Sequence, residues 1–326
     1  MVTLRNAKRH LSRRRDVIDE ALENLVQDRL TGTDAPAMSL ASDILLAGGK
    51  RYRPILTLLA FEAAGGEDES EVLDLALAAE LIHTATLVHD DIYDQSKTRR
   101  GKPTLHSTHG VSHGIIAGDY LFVMGFGLGG RYDEPIVTRM ADTCANIASG
   151  ELLQFAHIGD LATTPEDYYA IIDGKTAGPF ATACACAGMV ARSSAGDIAA
   201  LEEYGWEVGR AFQLVDDLLD LTGDVSMGKP RGTDVHEGKM TLPLIHALTM
   251  LHGVEREQLA DVLLNFSDDR WGELTDLLES AGSFDYARQL IENHIDRALN
   301  SLDLLPQSDA KRLLAEVAKR SGSRRI

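Results

Sequence analysis

The chain has 326 residues, 44% of them hydrophobic and 25% charged, with nine prolines; such a composition specifies a packed core and excludes collagen-like, low-complexity and wholly disordered classes. Its 32 Lys and Arg against 50 Asp and Glu leave a net charge of −18, which argues against general affinity for nucleic acid or anionic lipid, so an anionic substrate needs a local concentration of cations. Nine of the basic residues are lysine and the rest arginine, the acid-rich, lysine-poor balance of salt-adapted proteins.

At the N-terminus Arg5, Lys8, Arg9, Arg13, Arg14 and Arg15 are followed by no apolar stretch, so no secretory signal is expected. Apolar residues then recur at helical spacing: Val17, Ala21, Leu22 and Leu25; Leu73, Leu77 and Leu81; Leu201, Tyr204, Val208, Phe212, Val215 and Leu219. Short breaks rich in Gly, Pro, Asp or Thr fall at 31–36, 65–69, 99–104, 131–135 and 159–165, and none has the composition of an interdomain linker. No period-two alternation bounded by turns occurs. The expected fold is therefore all-α, a single domain over residues 1–326 of about ten or more helices. No uninterrupted apolar run approaches about 20 residues, so no membrane-spanning helix is expected. Cys144, Cys184 and Cys186 are too few for a disulfide framework and read as small core residues in a reducing cytoplasm. Glycines 125, 127, 129 and 130 follow a helical pattern with no strand before them, which favours close helix packing over a dinucleotide loop. His106, His109 and His113 lack a fixed acidic or thiol partner and read as solvated or packing residues rather than a zinc site.

Two acidic triplets interrupt otherwise apolar helices. Leu81-Ile-His-Thr-Ala-Thr-Leu-Val-His-Asp-Asp-Ile-Tyr-Asp94 sets Asp90 and Asp94 one turn apart, with Asp91 beside Asp94 at i,i+3. Phe212-Gln-Leu-Val-Asp-Asp-Leu-Leu-Asp220 repeats the arrangement with Asp216, Asp217 and Asp220. One triplet in an acidic protein reads as a solvated face; two, both flanked by Leu, Ile and Val, read as inward-pointing. Oxygen-only donors favour a hard cation, and Mg²⁺ takes one or two carboxylates while leaving positions for phosphate. Basic residues gather near these acids: Lys50 and Arg53, one turn apart at a helix start in Gly48-Gly-Lys-Arg-Tyr-Arg-Pro54; Arg99 and Arg100; Lys175 in Gly-Lys-Thr-Ala; Lys229 and Lys239.

With these motifs in this order, the segment from Gly48 to Pro243 resembles the trans-isoprenyl diphosphate synthases, or polyprenyl synthetases. The resemblance implies an all-helical bundle around a deep central cavity with the two acidic motifs facing each other, and a homodimer. It implies that Asp90, Asp94, Asp216 and Asp220, with Asp91 and Asp217 beside them, hold Mg²⁺ on an allylic diphosphate. By matching positions, Lys50, Arg53, His83 and Arg100 take isopentenyl diphosphate, and Arg99, Lys175, Thr176, Gln213, Lys229 and Lys239 take the allylic diphosphate. His83 lies two turns before Asp90 on the same helical face, which agrees. The implied reaction is ionisation of the allylic diphosphate followed by attack of the isopentenyl double bond.

A terpene cyclase needs no isopentenyl diphosphate site and mixes Asn, Ser or Thr and Glu into its second metal motif; the Gly-Gly-Lys-Arg-Tyr-Arg-Pro segment and the all-aspartate motif here point away from it. A non-catalytic subunit of a heteromeric synthase tends to lose aspartates or basic residues that this chain keeps. For product length, the family places an aromatic stop near the fifth residue before the first motif, where this chain has Ala85 followed by Thr86, with Ile82 deeper. The expectation is a product of at least twenty carbons, with a strictly twenty-carbon geranylgeranyl product as the alternative.

Overall fold

The computed structural model describes residues 4–99, 101–223 and 231–322. Sixteen α-helices account for about three quarters of the described residues, as the helical periodicity predicts. They are α1 (Leu4–Leu30), α2 (Ala35–Leu45), α3 (Tyr52–Ala63), α4 (Ser70–Tyr93), α5 (Leu105–His109), α6 (Val111–Gly129), α7 (Glu134–Ala156), α8 (Pro165–Ile172), α9 (Gly178–Val190), α10 (Ala195–Thr222), α11 (Thr233–His236), α12 (Leu242–Met250), α13 (Gly253–Leu264), α14 (Trp271–Ser280), α15 (Ser283–Leu302) and α16 (Asp309–Gly322). The break at 99–104 is a minimal antiparallel pair instead of a plain turn: β1 (Thr98–Arg99) pairs with β2 (Lys102–Pro103), Arg99 opposite Lys102.

The chain divides into two compact units, one of Met1–Met140, Ala183–Leu201 and Leu305–Leu314, the other of Ala141–Thr182, Glu202–Leu304 and Ala315–Ile326. In the first, α4 is apolar around most of its circumference, the pattern of a buried helix, and it lies in close contact with α6. A Cβ built on Gly114, Gly118 or Gly125 of α6 would sit 2.9 Å from Ile92, 2.1 Å from His89 or 2.8 Å from Ile82. Glycines thus let the α6 backbone come down onto the row Ile82, His89 and Ile92 of α4, and Gly129 makes the same approach to Met140. These contacts are the packing role expected of Gly125 and Gly129.

In the second unit, Leu214, Val215 and Leu218 of α10 are buried in one apolar cluster with Leu242 and Leu244 of α12, Leu274 and Leu278 of α14 and Ile291 of α15. The entry into α8 is fixed by a capping box, in which the Thr164 hydroxyl accepts from the Asp167 N–H and the Asp167 carboxylate accepts from the Thr164 N–H.

No membrane-spanning helix is expected from the sequence, and length and apolar composition, which a core helix shares, single out two helices. By length and composition α4 and α6 both qualify, with mean hydropathy 1.4 and 1.3, because single polar residues such as Glu80 and Asp119 break the apolar run without lowering the average enough. The apolar stretch of α4 is 61% buried inside the protein, as suits a core helix, whereas that of α6 is 39% buried and leaves Ile115, Ile116 and Val123 exposed.

Candidate active site

The first acidic triplet lies at the C-terminus of α4. Gln95 adopts a left-handed conformation (φ 51°), the Ser96 N–H donates to the Asp91 carbonyl at 2.9 Å and the Gln95 N–H to that of Ile92 at 3.3 Å, which together stop the helix. Asp94 is the C-cap, and the last turn holds no basic residue. Three carboxylates therefore stand at the negative end of a helix dipole, an unfavourable position without a cation. Asp91 is buried, with Oδ1 accepting from Arg99 Nε at 2.6 Å and Oδ2 buried without a hydrogen-bond partner. Burial raises its pKa against the lowering effect of Arg99. Asp90 and Asp94 are half-buried.

Behind Asp90, Thr86, His83 and Ala79 keep partial exposure and lie in one row, three or four residues apart along a single helical face; Leu87 and His89 are partly exposed as well. Ala85 is not in that row. It is fully buried and lies between Ile82 and His89 on the face that meets α6. Thr86 donates to the His83 carbonyl at 2.8 Å.

Lys50 and Arg53 were expected together at a helix start. α3 instead begins at Tyr52, so exposed Lys50 stands on the preceding turn and half-buried Arg53 in the first helical turn. That turn needs Gly48 (φ 77°) and Gly49 (φ 149°), and it drives Arg51 into the left-handed region at φ 49°. Arg51, absent from the sequence reading, holds the turn in place. It is buried and donates to Glu80 Oε1 at 2.6 Å, to Asp19 Oδ1 at 2.9 Å and to the Leu45 carbonyl at 2.9 Å.

The second triplet lies in the last two turns of α10, again with no basic residue in the last turn. Asp216 is half-buried. Asp217 is buried and accepts from the Tyr168 hydroxyl at 2.6 Å and from Gln213 Nε2 at 2.8 Å; burial pushes its pKa up to about 7 against these hydrogen bonds, with Asp216 and Asp220 adding to the rise. The Asp220 carboxylate receives the Thr233 and Asp234 N–H groups at 3.0 and 3.1 Å, which ties the start of α11 to the motif. Burial, then the charges of Asp217 and Asp220, raise Asp234 well above the usual carboxylate range. Asp234 carried no sequence signal, since it joins the cluster only through the return of the chain after α10.

Lys175 and Thr176 sit on a π-helical turn, Asp173–Ala177, between α8 and α9. Lys175 pairs with Glu151 and donates to Gln154 Oε1 at 3.0 Å, while Thr176 donates to Gln213 Oε1 at 2.9 Å. Glu151 and Gln154, on α7, were not singled out from the sequence; nothing in their spacing to Lys175 shows that the chain returns there. Lys239 pairs with Glu237 at 2.5 Å. Arg100 and Lys229 lie outside the described residues.

The donor set fits a divalent cation. All the candidate ligands are carboxylate oxygens, they stand at negative helix ends, and in the second cluster the charges of Asp216 and Asp220 add to burial in raising the pKa of Asp217, which a shared cation relieves. Among the described residues no group of three or more His, Cys, Asp or Glu side chains is arranged to hold a metal ion; Mg²⁺ held by one or two carboxylates and completed by substrate phosphates needs no such group.

Residues 36–278 match the polyprenyl synthetase family model. The chain is 36% identical to a short chain isoprenyl diphosphate synthase of Methanothermobacter thermautotrophicus, covering 93% of this chain and 94% of the relative. It is 35% identical to the octaprenyl diphosphate synthase of Escherichia coli, covering 92% and 97%. Among solved structures, a polyprenyl synthase from Caulobacter crescentus CB15 complexed with calcium and isoprenyl diphosphate superposes with a TM-score of 0.89 at 34% identity, covering 97% of each chain.

Proposed function

The chain belongs to the polyprenyl synthetase family and is a prenyltransferase, and from that premise we propose that it condenses isopentenyl diphosphate with an allylic diphosphate to give a trans-polyprenyl diphosphate of at least twenty carbons. The observation that carries this reading is the pair of Asp-x-x-x-Asp clusters, each at the uncompensated negative end of a long helix, accompanied by basic residues suited to two diphosphates. We read residues 1–326 as one such domain, since the family match runs through both units.

Asp90, Asp94, Asp216 and Asp220 are the residues that would hold Mg²⁺. Bound there, the ion supplies Lewis-acid neutralisation of the diphosphate leaving group. Lys175, steadied by Glu151 and Gln154, and Arg99, anchored on Asp91, add cations to the same leaving group. The allylic C–O bond breaks and the diphosphate departs with the electron pair, leaving an allylic cation. Lys50, Arg53 and His83, with Arg100, hold isopentenyl diphosphate so that its double bond attacks that cation. A proton is then lost to the released diphosphate, and the chain is five carbons longer. No protein nucleophile is needed; water must be kept from the cation.

Lys50→Ala and Arg53→Ala are expected to raise KM for isopentenyl diphosphate about 10- to 100-fold, the value of one or two charge-assisted hydrogen bonds, with KM for the allylic substrate little changed. Loss confined to the allylic substrate would reverse the two sites.

The prenyl chain grows from Asp90 toward the N-terminus of α4, one isoprene unit per helical turn of about 5.4 Å. The partly exposed row puts Thr86 first on that path, while Ile82 and Ala85 lie behind it on the face that meets α6. Thr86→Phe is therefore expected to shorten the product by at least one isoprene unit with activity retained. Ala85→Phe should mainly lower thermal stability, because overpacking a closed helix seam costs about 1–3 kcal/mol. Unchanged products from Thr86→Phe, on chromatographic sizing, would remove this row from length control. Short chain and octaprenyl relatives are almost equally similar to this chain, so these local positions carry the length argument.

The exposed apolar residues Ile115, Ile116 and Val123 of α6 support a homodimer in which a second copy covers this helix. Three free cysteines, two of them buried, support a cytoplasmic location. The reading is tested by incorporation of isopentenyl diphosphate with Mg²⁺ by the purified chain alone. No incorporation with any allylic primer would favour a non-catalytic subunit, and a product arrested at twenty carbons would favour the geranylgeranyl alternative.

A further inference from the structure

The π-turn Asp173–Ala177 is wedged on both sides. A Cβ on Gly174 would lie 2.8 Å from the Asn146 carbonyl and 3.3 Å from Gly150 Cα on α7, and a Cβ on Gly209 of α10 would lie 2.5 Å from Ala177 Cα. Its side chains leave in two directions: Lys175 meets Glu151 and Gln154 of α7, and Thr176 meets Gln213 of α10. A π-turn contains one residue more than an α-turn. If it relaxed to α-helix, residues on one side would rotate by about 100°, and these two sets of contacts could not both survive.

One side chain grips the turn at its first residue. Arg210 donates from Nε to Asp173 Oδ1 and from Nη2 to Oδ2, both at 2.8 Å, a two-pronged bond of fixed geometry. Its Nη1 donates to Glu207 Oε1 at 2.9 Å, and its guanidinium lies 5.5 Å from the Trp206 ring. Glu207 is itself buried and anchored on α15, with His294 Nδ1 at 2.7 Å and Arg297 Nε donating at 2.6 Å. Burial works against the Glu207 carboxylate, yet these partners hold its pKa down to about 2. None of Asp173, Arg210, Glu207 or His294 belongs to a diphosphate motif, and the mechanism above does not use them.

We propose that Arg210 is a positioning residue for the condensation: anchored through Glu207 on α15, it grips Asp173 and so fixes the π-turn that presents Lys175 and Thr176 to the allylic diphosphate. This rests on the assignment of Lys175 and Thr176 made above. Arg210→Met leaves Glu207 its contacts with His294 and Arg297, so the fold is expected to hold; Asp173→Asn removes the charged half of the grip from the other side.

The test is steady-state kinetics of the wild type, Arg210→Met, Arg210→Lys and Asp173→Asn on the full chain, with both substrates varied and Tm measured for each. Arg210→Met and Asp173→Asn are expected to lose about 10- to 100-fold in kcat/KM for the allylic diphosphate, the scale of a displaced positioning group, while KM for isopentenyl diphosphate stays within about twofold. Arg210→Lys keeps the charge but not the fork, and is expected to recover only part of the loss. Wild-type kcat/KM for the allylic substrate in both Arg210→Met and Asp173→Asn overturns the proposal. So does an equal loss for both substrates in step with a fall in Tm, which marks a role in folding alone. A wild type that incorporates no isopentenyl diphosphate overturns the assigned function instead, so the two failures are told apart.

Discussion

Asp90→Ala and Asp216→Ala are each expected to leave a folded protein with almost no turnover. Both residues are half-buried near helix C-termini, so removing either carboxylate takes away like-charge repulsion and little packing. On the proposed assignment, what is lost is a ligand of the cation that would take up charge on the departing diphosphate. If that interaction carries about 3–4 kcal/mol of the barrier, kcat falls about 10²- to 10³-fold. The measurement is kcat at saturating Mg²⁺ beside Tm: the Tm should stay near the wild-type value or rise slightly. Retention of more than about a tenth of kcat by either variant is incompatible with a several-kcal/mol role and sinks the metal assignment for that residue.

Arg51→Ala should do the opposite, unfolding the protein more readily before any question of chemistry arises. Arg51 and Glu80 are 4% and 3% exposed, and removing the guanidinium strands a carboxylate in the core of the first unit. Breaking a buried pair in this way costs about 3–5 kcal/mol, which lowers Tm by roughly 5–15 °C for a chain of this size. The left-handed φ of Arg51 returns little of this, since alanine is no better suited to that region than arginine. Removing the stranded charge in Arg51→Ala/Glu80→Gln should recover part of the loss, a coupling expected of groups in contact. The neighbouring Lys50→Ala, exposed on the same turn, should leave Tm unchanged while weakening isopentenyl diphosphate binding. A Tm for Arg51→Ala within about 2 °C of wild type would show that water reaches Glu80 and that the pair is not buried in the sense that makes it costly.

These two variants mark where local pattern ends. Asp90, Asp91 and Asp94, and Asp216, Asp217 and Asp220, are legible in sequence because their spacing is set by the helix itself: i and i+4 share a face in any α-helix, and i+1 lies beside i+4 at the i,i+3 spacing. The helices are legible for the same reason, since a 3.6-residue apolar period is a property of neighbours along the chain. So is the order of the motifs, and with it the family and the reaction.

What the sequence could not decide depends on which distant segments meet. Arg51 carried no assignment beside Lys50 and Arg53; only the return of α1 and α4 brings Asp19 and Glu80 to it and makes it a buried strut. Asp217 and Asp220 looked equivalent to Asp216, yet Tyr168 and Gln213 occupy the first and the N–H groups of α11 the second. Ala85 and Thr86 are adjacent in sequence, and their separation onto a closed seam and a half-open row follows from where the glycines of α6 let that helix settle. The two short β-strands, the π-turn and its grip by Arg210 have no periodic signature at all. Helical spacing and charge pattern were thus readable because they are short-range along the chain; the partners that decide which carboxylate is open, which arginine is structural and which turn is held are set by long-range packing, and only the tertiary structure supplies them.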